Sequence, residues 1–228
     1  MAKMTHLDPS VFQFLTTLEK NNDRDWFAEN KPKYVAANEH FKALAEEINS
    51  GMIKRDNIEK MKLYRIYRDV RFSKNKAPYK SNFSCGFSRA TKALRGSYFL
   101  QLHPGDRSFM GGGFWQPDIP DLKRIREEID LDPSGLQDII NSASFKEHFG
   151  KLGGQQLKTA PKGYPKDHPA IELLRYKSFV VTKSFSDEEV MTPGFSEQVL
   201  KYFQATRPLF DYMSDVLTTD SNGVSLID

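Results

Sequence analysis

The sequence is poor in cysteine, with one residue of this type, Cys85, among 228. A single cysteine cannot form a disulfide within the chain, and it excludes a metal site built on several thiolates. Cys85 lies in the segment SNFSCGF, which is typical of a strand, so we expect a buried and unreactive thiol. A reduced cysteine fits the cytoplasm, where we expect the protein to act.

Long apolar runs are lacking as well. No stretch approaches the roughly 20 apolar residues that a membrane-spanning helix needs. The first residues, MAKMTHLDPSVFQFL, show no pattern of a cleaved leader. We therefore expect no membrane partner.

The motifs of metal and nucleophilic enzymes are absent too. There is no HExxH motif, no pair of aspartates at metal-binding spacing and no GxSxG elbow. The five histidines are scattered along the chain. The sequence therefore predicts no metal site, and it implies no cofactor.

The composition is enough for one sizeable core, since 39% of the residues are hydrophobic and 12% are aromatic. We predict a single domain over residues 1–228, with an ordered core at about 5–217 and a frayed tail. The net charge of +3 is weakly basic and does not by itself indicate a nucleic-acid partner. The oligomeric state cannot be predicted.

Apolar residues recur at helical spacing in several segments. The first helix is predicted to begin at Asp8 or Ser10, and a second carries Trp26. A longer helix starts at Pro32 and is expected to end near residue 49. The last helix extends towards residue 217, and Pro208 should kink or split it.

Short segments with strand patterns lie at 81–87, 96–103, 107–114 and 179–182. Because tight loops join the first three, they should pair antiparallel. The sequence therefore predicts an α+β fold, with one antiparallel sheet of about four to six strands and helices mainly on one side.

Positive charge is concentrated in the segment KLYRIYRDVRFSKNKAPYK, at 62–80. Its first half alternates like a strand, which would place Arg65, Asp69 and Arg71 on one face. One carboxylate cannot balance all the cations nearby, so the surplus favours an anion from outside.

The second half of this segment, from Ser73, is predicted to be a loop, because Pro78 cannot donate to a sheet. The loop would hold its lysines beyond the end of the strand, where a ligand could be met. The candidate ligand-binding residues here are Arg65, Arg68, Asp69, Arg71, Lys76, Tyr79 and Lys80.

This block also carries a resemblance to a known family. It reads Arg65-x-x-Arg68-Asp69-x-Arg71-Phe72-x-x-x-Lys76-x-Pro78-Tyr79, and it is accompanied by Asn21-Asn22, Arg24-x-Trp26-Phe27, Gly111-Gly112-Gly113-x-Trp115-x-Pro117 and Asp167-His168-Pro169. The pattern resembles domain of unknown function 2461, a bacterial family that also occurs within larger fungal proteins. The resemblance implies a single-domain protein and says nothing about a substrate.

Three glycines precede Trp115, at 111–113. They do not form a phosphate-binding motif, because Phe114, Trp115 and Pro117 intervene before the next helix. They could cradle an anion, or they could form a flat floor below a pocket with Trp115 as its wall. They could also simply permit close packing. Gly112 and Trp115 are therefore candidate ligand-binding residues.

The segment 153–169 is long for a loop and contains Asp167 and His168. Asp167 could cap the short helix that follows, and His168 could act as an acid, a base or an anion ligand. Both are candidate ligand-binding residues, and His168, Tyr67 and Tyr79 are candidates for catalysis.

Three hypotheses of function follow from these patterns. The first is a pocket for an anionic small molecule bearing phosphate or carboxylate, with catalysis left open. The second is a nucleic-acid-binding module that uses the basic and aromatic residues, ranked lower because the net charge is modest. The third is a structural network in which Arg65, Asp69 and Arg71 are buried.

Overall fold

The computed structural model describes residues 6–220 and 222–227, which contain nine helices and five strands. The helices are α1 (Pro9–Lys20), α2 (Arg24–Glu29), α3 (Lys31–Ile53), α4 (Ile119–Leu131), α5 (Ser134–Asn141), α6 (Ala143–Phe149), α7 (Ile171–Leu174), α8 (Asp187–Met191) and α9 (Phe195–Thr218). The strands are β1 (Ile58–Tyr64), β2 (Phe83–Arg89), β3 (Ser97–Leu102), β4 (Ser108–Phe114) and β5 (Phe179–Phe185).

The five strands form one antiparallel sheet in the order of the sequence, β1-β2-β3-β4-β5. A tight turn joins β3 to β4, and in it Gly105 and Asp106 both have positive φ angles. Such turns let consecutive strands pair directly. The predicted α+β class and the predicted strand number are confirmed.

The described residues fall into two compact units. The first lies within Met1–Phe87, Phe99–Met110 and Ser184–Lys201, and the second within Ser88–Tyr98, Gly111–Lys183 and Tyr202–Asp228. Strands β2 to β5 each contribute residues to both units. That the chain forms one domain over 1–228, and that helices lie mainly on one side of the sheet, stay predictions.

The first unit contains the amino-terminal helices. Asp8 caps α1, since its carboxylate accepts the Ser10 N–H at 2.9 Å. The buried face of α1 consists of Val11, Phe12, Phe14, Leu15 and Leu18, as the sequence predicts. Phe41 of α3 stacks on Phe83 of β2 at 5.3 Å. The Cys85 thiol is buried, as the sequence predicts, and burial raises its pKa.

The core of the second unit includes the later part of α9. Phe203 and Phe210 contact the ring of Tyr98 at centroid distances of 4.9 and 4.7 Å. Gly112 of β4 lies against the same helix, and a Cβ atom there would be 2.9 Å from Thr206 Cγ2. The absence of a side chain at Gly112 therefore permits close packing.

Two helices extend past residues that the sequence gives as an end or an interruption. α3 continues through Gly51 to Ile53 rather than ending near residue 49. At Gly51 a Cβ atom would be 2.3 Å from Leu200, so tertiary packing accounts for a glycine that reads as a helix end. α9 contains Pro208 and is not split there, while the kink stays a prediction. The buried side chains on both sides of Pro208 outweigh its lost hydrogen bond.

The described residues after Thr218 pair with one another and with Thr218. Thr219 pairs with Ser225, and the Leu226 N–H donates to the Thr218 carbonyl at 2.7 Å. That this tail frays in solution stays a prediction. The predicted start of the ordered core, near residue 5, lies outside the described residues.

Candidate functional site

Strand β1 ends at Tyr64, so the residues that follow do not form one face of a strand. The chain at 65–80, which we call the basic loop, folds back on itself. The Arg68 N–H donates to the Pro78 carbonyl, and the Lys80 N–H donates to the Ile66 carbonyl, both at 2.8 Å. The strand predicted for the first half of this segment is therefore wrong beyond Tyr64, because these backbone groups pair within the loop.

Two cations of the basic loop hold it closed. The Arg68 guanidinium donates to the Ala77 carbonyl at 3.0 Å and to Ser73 Oγ at 3.4 Å. Lys76 Nζ donates to the Val70 carbonyl at 3.1 Å. Both side chains donate to backbone carbonyl groups of the loop, and this gives them a structural role in addition to any ligand contact.

Asp69 and Arg71 form an ion pair at the surface of the basic loop. The Arg71 guanidinium donates to both carboxylate oxygens of Asp69, with Nη2 to Oδ2 at 2.6 Å. These hydrogen bonds, with that from the Arg71 N–H, lower the pKa of Asp69, and the nearby charge of Arg65 contributes as well. The Arg71 side chain is 77% exposed, so the pair is not the buried network of the third hypothesis.

Tyr79 packs the basic loop against helix α2. The Tyr79 ring is buried and stacks on Phe27 of α2, with centroids 3.9 Å apart. Burial raises the pKa of Tyr79, which disfavours the phenolate. The Asn22 side chain, between α1 and α2, donates to the Tyr79 carbonyl and accepts the Tyr79 N–H, both at 3.0 Å. Asn22 therefore positions the loop.

Asn22→Ala removes both hydrogen bonds from the partly buried backbone of Tyr79. We expect the free energy of unfolding to fall by about 2–3 kcal/mol, because two backbone groups lose their partners. Urea denaturation measures this. The matched control is Asn21→Ala, which removes an exposed hydrogen bond to the Thr17 carbonyl and should cost about 1 kcal/mol or less. Equal losses of free energy in the two variants would show that the two hydrogen bonds of Asn22 do not stabilise the basic loop.

An open depression of about 730 Å³ lies where β1 meets the basic loop. We call it the β1-end depression. It is lined by Lys62, Leu63, Tyr64, Arg65, Tyr67, Arg68, Asp69 and Lys80. All these residues belong to the first unit.

Four cations line the β1-end depression, and none of them has an ion pair within the described part of the chain: Lys62, Arg65, Arg68 and Lys80. Arg68 donates to carbonyl and hydroxyl groups of the loop, which leaves Lys62, Arg65 and Lys80. The ammonium groups of Lys62 and Lys80 lie 5.2 and 5.8 Å from the centre of the Tyr64 ring. Burial and, secondly, the charge of Arg65 lower the pKa of Lys80. Asp69, the acid of this depression, is already bound to Arg71. The depression therefore has a surplus of positive charge.

Gly112 and Gly113, two of the three glycines before Trp115, have close packing neighbours in the second unit. A Cβ atom on Gly112 would also lie 3.3 Å from the Phe210 ring, and one on Gly113 would be 2.2 Å from the Phe179 carbonyl oxygen. Of the readings left open by the sequence, these contacts favour close packing. Trp115 follows β4 and is 65% exposed.

His168 has a partner at each ring nitrogen. Nδ1 accepts the Ala170 N–H at 3.0 Å, and Nε2 lies 3.0 Å from a carboxylate oxygen of Asp130. An accepting Nδ1 leaves Nε2 as the protonated nitrogen, which donates to Asp130. Asp167 is exposed, and no side-chain cap is formed at the start of α7. His168 thus has a complete structural explanation within the second unit.

The predicted site residues therefore separate into groups. Arg65, Arg68, Asp69 and Lys80 come together in the β1-end depression. Arg71 and Lys76 lie elsewhere in the basic loop, and Tyr79 lies buried beneath it. Gly112, Trp115, Asp167 and His168 belong to the second unit, and their grouping with the depression stays a prediction.

Comparison with known protein families identifies the family of this chain. A family model described as a conserved hypothetical protein, DUF2461, matches residues 10–212. The chain belongs to the DUF2461 family. No curated protein and no solved structure matches it. The family description names no activity, so the function of this DUF2461 protein has to be argued from its own residues.

Sequence reasoning missed three residues of the depression in this DUF2461 chain, Lys62, Leu63 and Tyr64. Lys62 and Tyr64 alternate with Leu63 on β1, so these two share a face, and this parity was the available signal. This parity was overlooked because the strand was predicted to continue past residue 64, and the candidate site was placed on the other face of that strand.

A polar cluster in the first unit was also missed. The Arg107 guanidinium binds both carboxylate oxygens of Glu19, at 2.9 and 2.7 Å. Ser81 Oγ lies 3.1 Å from His103 Nε2 and 3.4 Å from Glu19 Oε1. Burial, followed by the charge of Arg107, lowers the pKa of His103 and favours the neutral ring. No spacing pattern in the sequence indicates this cluster.

The described residues contain neither a cluster of metal-binding side chains nor a membrane-spanning helix. No group of three or more His, Cys, Asp or Glu side chains is placed to hold a metal ion among residues 6–220 and 222–227. Over the same part of the chain, none of the helices is sufficiently long and apolar to span a bilayer.

Proposed function

We propose that this DUF2461 protein binds an anionic small molecule, bearing phosphate or carboxylate, in the β1-end depression. The observation that carries the proposal is the surplus charge of Lys62, Arg65 and Lys80, which have no ion pair in the described part of the chain. We also place the protein in the cytoplasm, because its cysteine is free and buried.

Electrostatics supports an anion at this position. Arg65 and the burial of Lys80 both disfavour the charged ammonium group of Lys80, as its lowered pKa indicates. A bound anion would relieve the repulsion between these cations and favour protonated Lys80. Arg65 can form two parallel hydrogen bonds with a phosphate or carboxylate, and the lysines can add single ones.

Binding is the whole of the proposal, and no catalytic step is included. Tyr79 is buried, and its pKa is raised. Both ring nitrogens of His168 are already engaged. Tyr67 lines the depression, and the proposal gives it a place in binding only.

The experiment is titration calorimetry with phosphate, pyrophosphate and citrate on the full chain. We expect at least one of these anions to bind, and the double variant Arg65→Ala, Lys80→Ala to weaken that binding by about 100-fold or more, because two charge-assisted contacts are lost. Lys74→Ala is the control, since Lys74 is an exposed cation of the basic loop outside the depression.

Lys74→Ala should leave the affinity within about twofold of the wild-type value, because a distant exposed charge is screened by salt. If the three anions fail to bind the wild-type protein, the proposal is wrong. It is also wrong if Lys74→Ala weakens binding as much as the double variant.

A nucleic-acid-binding function is the second candidate, and one observation favours it. Phe72 is 97% exposed, and the Arg71 guanidinium lies 6.0 Å from its ring centre. An exposed ring beside a cation suits base stacking with phosphate contact. The affinity for a single-stranded oligonucleotide should then fall steeply with increasing salt concentration, and Phe72→Ala should lower it. If no binding is detected at low salt, this candidate function is wrong.

A further inference from the structure

The β1-end depression has room for an anion larger than phosphate. It is open to solvent, and its volume is about 730 Å³. Inorganic phosphate or a small carboxylate would occupy a minor part of that space. This step rests on the proposed function and concerns the rest of the ligand.

The charge of the depression indicates a ligand with more than one negative charge. Lys62 and Lys80 both approach the Tyr64 ring, and Arg65 is near enough to Lys80 to lower its pKa. The carboxylate of Asp69 is occupied by Arg71. A single monoanion would leave the positive charge mostly unbalanced, whereas a diphosphate or triphosphate would match it.

An aromatic ring is also presented to the depression. Tyr67 is 47% exposed and lines it. Its ring is held by Phe27 at 5.9 Å and by Tyr79 at 5.3 Å, and its backbone pairs with that of Tyr79. The ring is thus fixed before any ligand arrives, which lowers the entropic cost of stacking.

Tyr64 is less available for stacking than Tyr67. Its ring is contacted by the ammonium groups of Lys62 and Lys80, and it lies 6.0 Å from the ring of Phe99. These contacts place the two cations beside the ring. Tyr64 therefore organises the charged part of the depression, and Tyr67 supplies the free aromatic surface.

We infer that the ligand is a nucleoside diphosphate or triphosphate. Its phosphates contact Lys62, Arg65 and Lys80, and its base stacks on Tyr67. Phosphate groups together with a flat aromatic ring are the chemistry of nucleotides, and base stacking on tyrosine is tolerant of base identity. A free nucleotide is favoured over a nucleic-acid strand because the unpaired cations and the ring line one depression.

The test compares pyrophosphate with the diphosphates of adenosine, guanosine, cytidine and uridine, by titration calorimetry on the full chain. We expect at least one nucleotide to bind about tenfold or more tightly than pyrophosphate, because the base adds stacking. Tyr67→Leu should remove this advantage, so that no nucleotide binds that variant more tightly than pyrophosphate does. Tyr67→Phe is the matched control and should retain the advantage, since it keeps the ring.

Other results would overturn the inference in distinguishable ways. If pyrophosphate and all four nucleotides bind equally, or if Tyr67→Leu leaves the nucleotide advantage intact, the ligand class is wrong while the anion site remains. A ten-nucleotide single strand that binds far more tightly than any mononucleotide, with a steep salt dependence, replaces the inference with nucleic-acid binding. If neither pyrophosphate nor any nucleotide binds, the inference is wrong; an anion site shown by phosphate or citrate would still stand.

Discussion

Gly113→Ala is expected to lower the free energy of unfolding by about 4 kcal/mol or more, or to prevent folding. Gly113 has a φ of +141°, where residues with a side chain are strained. The added methyl carbon would also lie 2.2 Å from the Phe179 carbonyl oxygen and 2.6 Å from Val180 Cα. Both neighbours are backbone atoms of β5, so no rotation of a side chain can relieve the overlap.

Gly163→Ala is the matched control, because it isolates the backbone conformation from the overlap. Gly163 has a φ of +97° and nothing within 4 Å of the position of a Cβ atom. We expect Gly163→Ala to cost about 1–2 kcal/mol, from the strained φ alone. Urea denaturation of both variants measures the difference. Similar costs at the two positions would contradict the close approach of β4 and β5.

This comparison also bears on the glycine run that the sequence analysis singled out. If Gly113→Ala is as damaging as expected, packing alone explains a glycine at this position. A ligand role for the run would then need evidence of its own. The structure gives Gly112 a packing reason as well, against Thr206 and Phe210.

Arg89→Ala is expected to cost about 3 kcal/mol of the free energy of unfolding. The Arg89 side chain is fully buried in the second unit. Its guanidinium donates to Asp211 Oδ1 at 2.6 Å and lies 5.5 Å from the centre of the Phe210 ring. Truncation loses a charge-assisted hydrogen bond and leaves a cavity, and each contributes to the loss.

Two further variants make the Arg89 prediction specific. Asp211→Asn keeps an oxygen acceptor, and Asp211 is half exposed, so we expect a cost of about 1 kcal/mol. Lys123→Ala removes an exposed pair with Glu127 and should change stability by less than about 0.5 kcal/mol. Urea denaturation measures the free energy of unfolding of all three variants. If Arg89→Ala lowers it no more than Lys123→Ala does, the buried contacts of Arg89 contribute little.

Where local patterns and tertiary packing agree, the sequence predicted the fold well. The apolar residues of α1 repeat at helical spacing, and Asp8 caps the helix as its position indicates. The turn between β3 and β4 contains Gly105, whose positive φ a hairpin turn favours. These features depend on neighbours in the sequence, so the sequence is sufficient to identify them.

The α+β class, the antiparallel sheet and the concentration of positive charge at 62–80 were therefore determined by the sequence alone. Tertiary structure decided where β1 ends, because the backbone groups of Ile66 and Arg68 pair within the loop. Asn22 binds the backbone of Tyr79 in the same loop from a position 57 residues earlier. It also decided which cations are paired. Arg68 and Lys76 bind carbonyl groups of the loop, whereas Lys62, Arg65 and Lys80 surround a depression. The physical reason is that a charge becomes available to a ligand only after folding has assigned partners to its neighbours, and the partners of Arg68 and Lys76 are set by how the loop closes on itself.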